Sequence, residues 1–390
     1  MSEVLLKDIT ELIVDCPHST AYDEGKGFPL VRTPNIGKGR LIYSGMHRVS
    51  EEVYNQRNAR AVPQKDDLIF AREATAGNVA LIQKDEKVCL GQRTVLIRPD
   101  KSKVNPAYLT YTLLAPKQQY NLLSTANGAT VAHVNLPTIR NLKLDIPNIE
   151  TQHRIATILS RYDSLIENYQ KQIKLLEEAA QRLYKEWFVD LHFPGHENTK
   201  IVDGVPEGWK KKRLIDFANI IMGQSPKSEF YNNERKGLPF HQGVGSYGNR
   251  FVVDNTYSTS FTRVAEANSV LFSVRAPVGR LNITKNRIVI GRGLAAMSHI
   301  KGYQSFLFYL LKERFFKDNV IGNGSIFASI SKDELLNLEF TIPSDNLMTR
   351  FNTITRNIDD KILKLDNQIL LLTEARDRLL PKLMSGEIAV

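Results

Sequence analysis

Apolar residues recur every seven positions in two separate stretches of the chain. In the first, Ile155, Tyr162, Tyr169, Leu176 and Leu183 form one row, and Leu159, Ile166, Ile173, Ala180 and Trp187 form a second row four residues further on. In the second stretch the rows are Phe351, Ile358, Leu365, Leu372 and Leu379, and Thr355, Ile362, Ile369, Arg376 and Leu383. This is the a/d spacing of a coiled-coil helix. Pro147 and Pro343 mark the starts, and Phe193-Pro194-Gly195 and Ser385-Gly386 the stops. Each helix is expected to run roughly 40 residues, or about 60 Å. A helix with one apolar seam cannot bury it alone. Two seams matched in length and phase most simply bury each other, as an antiparallel coiled coil. The alternative packs each helix on its own globular domain; a strict seven-residue repeat is narrower than such a core-facing stripe and favours the coil.

Before each helix the pattern changes to short apolar runs cut by Gly, Pro and Asn, which reads as strands. Strands are predicted at Gly27–Val31, Asp67–Ala71, Val79–Ile82 and Arg93–Ile97, with a helix over Pro106–Leu123. The order returns with strands at Phe251–Val253, Val270–Val274, Arg280–Thr284 and Ile288–Ile290, then a helix over Tyr303–Phe316. The segments are 1–147 (strand-rich), 148–193 (long helix), 194–209 (linker), 210–343 (strand-rich) and 344–390 (long helix). The predicted class is α+β, with two α/β domains separated by the paired helices and related by a pseudo-two-fold axis.

The two halves are copies. Asn127-Gly128-Ala129-Thr130 aligns with Asn323-Gly324-Ser325-Ile326, Ile146-Pro147 with Ile342-Pro343, and Gln172-Ile173 with Gln368-Ile369, all without a gap. Further forward, Ala74-Thr75-Ala76-Gly77 aligns with Ala276-Pro277-Val278-Gly279, Leu90-Gly91 with Ile290-Gly291, and Gly27-Phe28-Pro29-Leu30 with Gly237-Leu238-Pro239-Phe240, at offsets that drift. Drift implies insertions in loops; a constant offset implies a rigid element. The period is far longer than a solenoid repeat. Two similar modules imply two similar surfaces, and duplex DNA commonly offers two such sites in sequence.

A net charge of +10 fits a polyanionic partner, though charge alone speaks to non-specific affinity. A length of 390 residues suits two to four domains. Cys16 and Cys89 make no disulfide framework and are expected to be reduced. No apolar stretch reaches membrane-spanning length, and the N-terminus lacks the marks of a signal peptide, so a cytoplasmic protein is expected.

Motifs for catalysis are absent. There is no phosphate loop of the Gly-x4-Gly-Lys type, and Gly243-Val244-Gly245-Ser246-Tyr247-Gly248 is followed by a strand-like run and is assigned to a turn. His192 and His196 are separated by Phe193-Pro194-Gly195, which prevents the helix that would align them on a metal. No metal site is expected. The basic run Lys210-Lys211-Lys212-Arg213 is either a solvated surface run or a phosphate-facing one. Loop residues of both strand-rich domains are candidates for DNA contact: Arg32, Thr33, Lys38, Arg40, Arg72 and Arg93 in the first, and His241, Gln242, Arg250, Arg275, Arg280 and Arg292 in the second. Arg and Gln can read base edges bidentately, whereas Lys holds phosphates. Equivalent loops differ between halves, Arg32-Thr33-Pro34-Asn35 against Gln242-Gly243-Val244-Gly245. Loops that read bases would then read different sequences.

The chain resembles a specificity subunit of a type I restriction-modification system. The residues that carry the resemblance are Asp67-Leu68-Ile69-Phe70-Ala71-Arg72 with Ala74-Thr75-Ala76-Gly77, the opening Ile146-Pro147-Asn148-Ile149-Glu150-Thr151-Gln152, Val205-Pro206-Glu207-Gly208-Trp209, and Arg378-Leu379-Leu380-Pro381-Lys382-Leu383-Met384-Ser385-Gly386-Glu387-Ile388. Met348 stands in the second helix where Gln152 stands in the first. The resemblance implies two target-recognition domains, a bipartite asymmetric DNA target, a coil that sets the gap between half-sites, and no catalysis in this chain. It also implies partners: two methyltransferase subunits and the restriction subunits, which would carry S-adenosylmethionine, ATP and Mg. A type IIB-like system would use the same DNA role, and a coiled-coil scaffold without DNA is the rival from another class.

Overall fold

The computed structural model describes residues 2–124, 133–315 and 329–390. The paired turns Asn127–Thr130 and Asn323–Ile326 lie outside the described residues. The chain forms two compact units. The first holds Met1–Tyr169 with Asn367–Val390, and the second holds Gln170–Asp366. Each unit contains one strand-rich body and a stretch of both long helices.

The first long helix spans Ile149–Phe188 and the second Asp345–Ser385. The first stops five residues short of the expected 193, because Leu191 turns to a φ of 63° and the chain folds back, His192 N–H donating to the Glu186 carbonyl. The second ends on Gly386 at φ 77°, with Ile388 N–H donating to the Lys382 carbonyl, the glycine closure expected of a helix C-terminus. All twenty residues of the predicted seams are buried or half-buried, whereas Leu165, Leu175, Leu370 and Leu371, off the seams, are exposed. In the first unit Ile155 and Leu159 share a core with Leu379 and Leu383. In the second, Ile173, Leu176, Ala180, Leu183 and Trp187 share one with Phe351, Ile358 and Ile362. Trp187, near the end of the first helix, meets Phe351, near the start of the second, ring to ring at 6.0 Å, whereas Asp163 of the first helix meets Arg376 of the second, so the pair is antiparallel. The two polar seam positions are satisfied. Thr355 donates its hydroxyl to the Phe351 carbonyl at 2.9 Å, and Arg376 pairs with Asp163 at 2.7 Å. Tyr111 donates to the other oxygen of Asp163 at 2.5 Å.

The strand-rich bodies repeat one plan. The first has an antiparallel sheet in the order Thr10–Asp15, Thr94–Pro99, Leu68–Ala71, Val79–Leu81. The second has Ala218–Met222, Leu294–His299, Val270–Ser273, Leu281–Ile283 in the same order. Each body has a second sheet that contains a parallel pair, Phe28–Val31 with Cys89–Leu90 in a three-stranded sheet, and Leu238–His241 with Ile288–Ile290 in a five-stranded one. A two-stranded ribbon closes each body, pairing Ser2–Leu5 with Lys143–Ile146, and Lys210–Arg213 with Glu339–Ile342. The basic run is therefore a strand, with Lys210, Lys211 and Arg213 exposed.

Glycine explains two of the repeated motifs. At Gly27 (φ 98°) an added Cβ would lie 2.2 Å from the Val49 carbonyl oxygen, and at Gly237 (φ 85°) 2.1 Å from that of Ser258. Gly77 and Gly279, at φ 88° and 86°, close matching turns by donating N–H to the Ala71 and Ser273 carbonyls, each at 3.0 Å.

Two local expectations change. The helix expected over Pro106–Leu123 breaks into Pro106–Leu114 and Pro116–Leu123, because Pro116 drives Ala115 to an extended ψ of 144°. The helix expected over Tyr303–Phe316 is described over Gln304–Phe315, and Phe316 lies outside the described residues. Phe251–Val253 is not a strand; Val252 and Phe251 each make a single bridge, to Tyr247 and Ile283, as the chain crosses a sheet edge. The segment 194–209 carries a small hairpin, Ile201–Val202 with Val205–Pro206, turned by Asp203-Gly204 at φ 51° and 76°.

Candidate nucleic-acid interface

The twelve candidate contact residues separate by burial. Arg72 is buried beside the four-stranded sheet of the first unit. It donates to Asp15 at 2.8 Å and to the Val134 carbonyl at 2.9 Å, and meets His133 Nε2 at 2.8 Å. His133 meets Glu73 through Nδ1 at 2.6 Å, and Arg93 pairs with the other oxygen of Glu73 at 2.8 Å. The network begins in the interior and ends at Arg93, which is exposed. Arg72 is thus a structural cation, because reaching a base would strand Asp15 in the interior.

Arg250 is likewise removed from any surface. It is 4% exposed, lies 4.6 Å from the centre of the Phe308 ring, and meets Glu177 at 3.3 Å and the Tyr309 hydroxyl at 3.4 Å. Its other terminal nitrogen pairs with Asp359, whose second oxygen accepts from the Ser305 hydroxyl. Burial pushes the Asp359 carboxyl upward, and the Arg250 charge opposes that push. Arg250 thereby ties the strand-rich body of the second unit to both long helices. Arg40 does similar work in the first unit, pairing with Glu167 at 2.7 Å. His241 is buried between the Ser246 hydroxyl at 2.8 Å and Asp254 at 3.0 Å. Thr33 is buried, and its carbonyl accepts from the Thr75 hydroxyl at 3.0 Å. The sequence gives residue type but not depth, so these five, with Arg32 half-buried, could not be separated from the surface cations beforehand.

What stays on the surface is Lys38, Arg93, Gln242, Arg275, Arg280 and Arg292. Two of these stand close together. The parallel strands Leu238–His241 and Ile288–Ile290 end side by side, with Gly291 N–H donating to the His241 carbonyl at 2.8 Å. Gln242 and Arg292 follow these strand ends. The first unit repeats the geometry: Gly91 N–H donates to the Val31 carbonyl at 2.8 Å, and Arg32 and Gln92 follow. Gln92 was absent from the candidates, although the Leu90-Gly91 alignment with Ile290-Gly291 puts it opposite Arg292. Gly243–Gly248 forms a turn around a short helical stretch, Val244–Ser246. Among the described residues no group of three His, Cys, Asp or Glu side chains could hold a metal ion, and no helix is long and apolar enough to cross a membrane.

A family model described as the type I restriction modification DNA specificity domain matches residues 2–178 and again 206–373. The chain belongs to this family. Two relatives from Methanocaldococcus jannaschii match it over nearly all of its length. A protein described as the type I restriction enzyme MjaX specificity subunit is 31% identical, over 99% of this chain and 93% of its own. The type I restriction enzyme MjaIX specificity subunit is 26% identical over the same shares. The crystal structure of the type I restriction-modification system S subunit from M. genitalium has the same fold, with a TM-score of 0.59 and 18% identity over 98% of this chain and 95% of that one. Each matched segment covers one strand-rich body and most of the helix that follows it. The chain carries the specificity role of the family, not a catalytic one.

Proposed function

We propose that the chain selects a bipartite DNA target, each strand-rich body reading one half-site, and that it assembles two methyltransferase subunits and the restriction subunits of a type I system around it in the cytoplasm. S-adenosylmethionine, ATP and Mg would be held by those partners. One observation carries the reading: the two bodies share sheet order, ribbon and glycine turns, yet differ in the polar residues at matching surface loops. A conserved frame with divergent loops suits two readers of different sequences. The exposed lysines and arginines supply phosphate affinity, which falls with salt by roughly 0.9 log unit per log unit of salt for each neutralised phosphate.

The test replaces residues 1–147 with the corresponding body of another family member and maps adenine methylation across the host genome by long-read sequencing. One half-site changes while the other is retained. If both change, or neither does, the assignment of one reader per body fails.

A further inference from the structure

The ends of the parallel strand pairs carry the same two residue types in exchanged positions. In the first unit Arg32 follows Phe28–Val31 and Gln92 lies two residues beyond Cys89–Leu90. In the second unit Gln242 follows Leu238–His241 and Arg292 lies two residues beyond Ile288–Ile290. The partners are close neighbours. A Cβ placed on Gly91 would come within 2.9 Å of Arg32 Cγ, and one on Gly291 within 2.6 Å of Gln242 Oε1. The intervening glycine lets the two strand ends approach this closely.

Each Gln is also held. Gln92 donates through Nε2 to the His18 carbonyl, and Gln242 Oε1 accepts from the Ser225 hydroxyl at 2.8 Å. Ser225 accepts in turn from Arg292 N–H at 3.2 Å. Both supports come from the loop after the first strand of the four-stranded sheet. A carboxamide has two N–H donors and an oxygen with two lone pairs. With one of these used for anchoring, each Gln keeps a donor and an acceptor side by side, the pattern that meets adenine N7 and N6–H. Arg292 is exposed, and half-buried Arg32 makes a long 3.4 Å hydrogen bond from Nη2 to the Gly45 carbonyl, so each keeps guanidinium N–H groups for a fork suited to guanine O6 and N7.

Resting on the DNA-recognition reading above, we infer that Arg32 with Gln92, and Gln242 with Arg292, are the specificity-determining couples of the two bodies. Each couple reads one guanine and one adenine, and the strand that supplies each reader is exchanged between the bodies. Every half-site therefore contains a guanine and an adenine, and the two side chains of a couple govern different positions of the same half-site.

The test uses the full chain expressed with its methyltransferase partners. The methylated motif is mapped, and binding to duplexes carrying each single-base change is measured. Arg292→Lys keeps the charge but loses the fork. It is expected to relax one guanine position of one half-site, the discrimination there falling roughly 5- to 150-fold, with affinity for the parent site less affected. Gln92→Ala relaxes an adenine position of the other half-site. The double variant Q242R/R292Q alters both positions of its half-site and leaves the other half intact. The inference is overturned if a parent half-site lacks a guanine or an adenine. It is also overturned if Arg292→Lys and Gln92→Ala leave the motif unchanged, or if they weaken binding equally to all duplexes, as phosphate contacts would. The broader reading fails separately, when the parent complex shows neither motif-specific methylation nor salt-sensitive duplex binding.

Discussion

Replacing Arg250 by Met tests how the second unit is held together. Methionine keeps the apolar stem but removes the charge that faces Glu177 and Asp359. Breaking a buried pair by removing one partner costs about 3–5 kcal/mol. The carboxylate side chains are 28% and 23% exposed, which leaves them some water and favours the lower end. Loss of the contact with the Phe308 ring adds about 1 kcal/mol. A total of about 4 kcal/mol corresponds to roughly 8–16 °C in Tm for a unit of this size. The loss also depends on pH. Without Arg250, burial of Asp359 and the nearby Asp360 and Glu177 charges all act to raise its pKa. For an acid whose folded pKa is raised, the penalty is full above that pKa and is relieved as pH falls through it, because the native state takes up the proton. Arg250→Met is thus expected to lose less relative to the parent in mild acid than at neutral pH. Chemical denaturation of the parent, Arg250→Met, Asp359→Asn and the double variant forms a cycle. The double variant should cost clearly less than the sum of the singles. Additive losses, or an Arg250→Met loss below about 0.5 kcal/mol, would refute the account.

Other outcomes follow from the same geometry. Burial holds His299 down, to a pKa of about 4 against an ordinary 6.5, so stability is full above about 6.5 and declines by about 3 kcal/mol as pH falls to about 4; His299→Gln should flatten that decline in pH-dependent denaturation. Gly27→Ala should cost about 2 kcal/mol or more, through the Val49 carbonyl clash, while Gly25→Ala (φ 72°, open space) should cost only about 1 kcal/mol. Tyr111→Phe should cost about 1–2 kcal/mol by removing the hydroxyl that supports Asp163 against Arg376, read as a shift in denaturation midpoint.

The long helices were legible because a seven-residue pattern is a local property that tertiary packing then honours. Even the two polar seam residues, Thr355 and Arg376, sit on the seam. The strand cores around Leu68–Ala71 and Val270–Ser273 were legible for a similar reason, since they are short apolar runs bounded by turn residues. Ala115 shows where local reading fails in detail: the proline after it breaks a helix that the apolar pattern would have continued. The candidate interface was legible by composition and not by depth. Arg72 and Arg250 occupy promising loops, yet the carboxylates that bury them, Asp15 and Asp359, are 57 and 109 positions away in the chain. No local pattern announces such pairings. Gln92 is the opposite case, a residue that the internal alignment could have supplied.

The two-stranded ribbons have a consequence for how such proteins diversify. Ser2 pairs with Ile146, and Lys210 with Ile342. Entry to each body and exit from it therefore lie side by side, next to the start of a long helix. A body built this way is a cassette: recombination in the flanking helices can replace everything between entry and exit while the ribbon presents the same backbone pairing to whatever is inserted. The ladder depends on main-chain hydrogen bonds, so the incoming segment need only supply two short extended ends. If each body reads one half-site, as proposed, new target preferences arise by exchange of whole bodies, without a succession of point changes that would each have to leave the core intact.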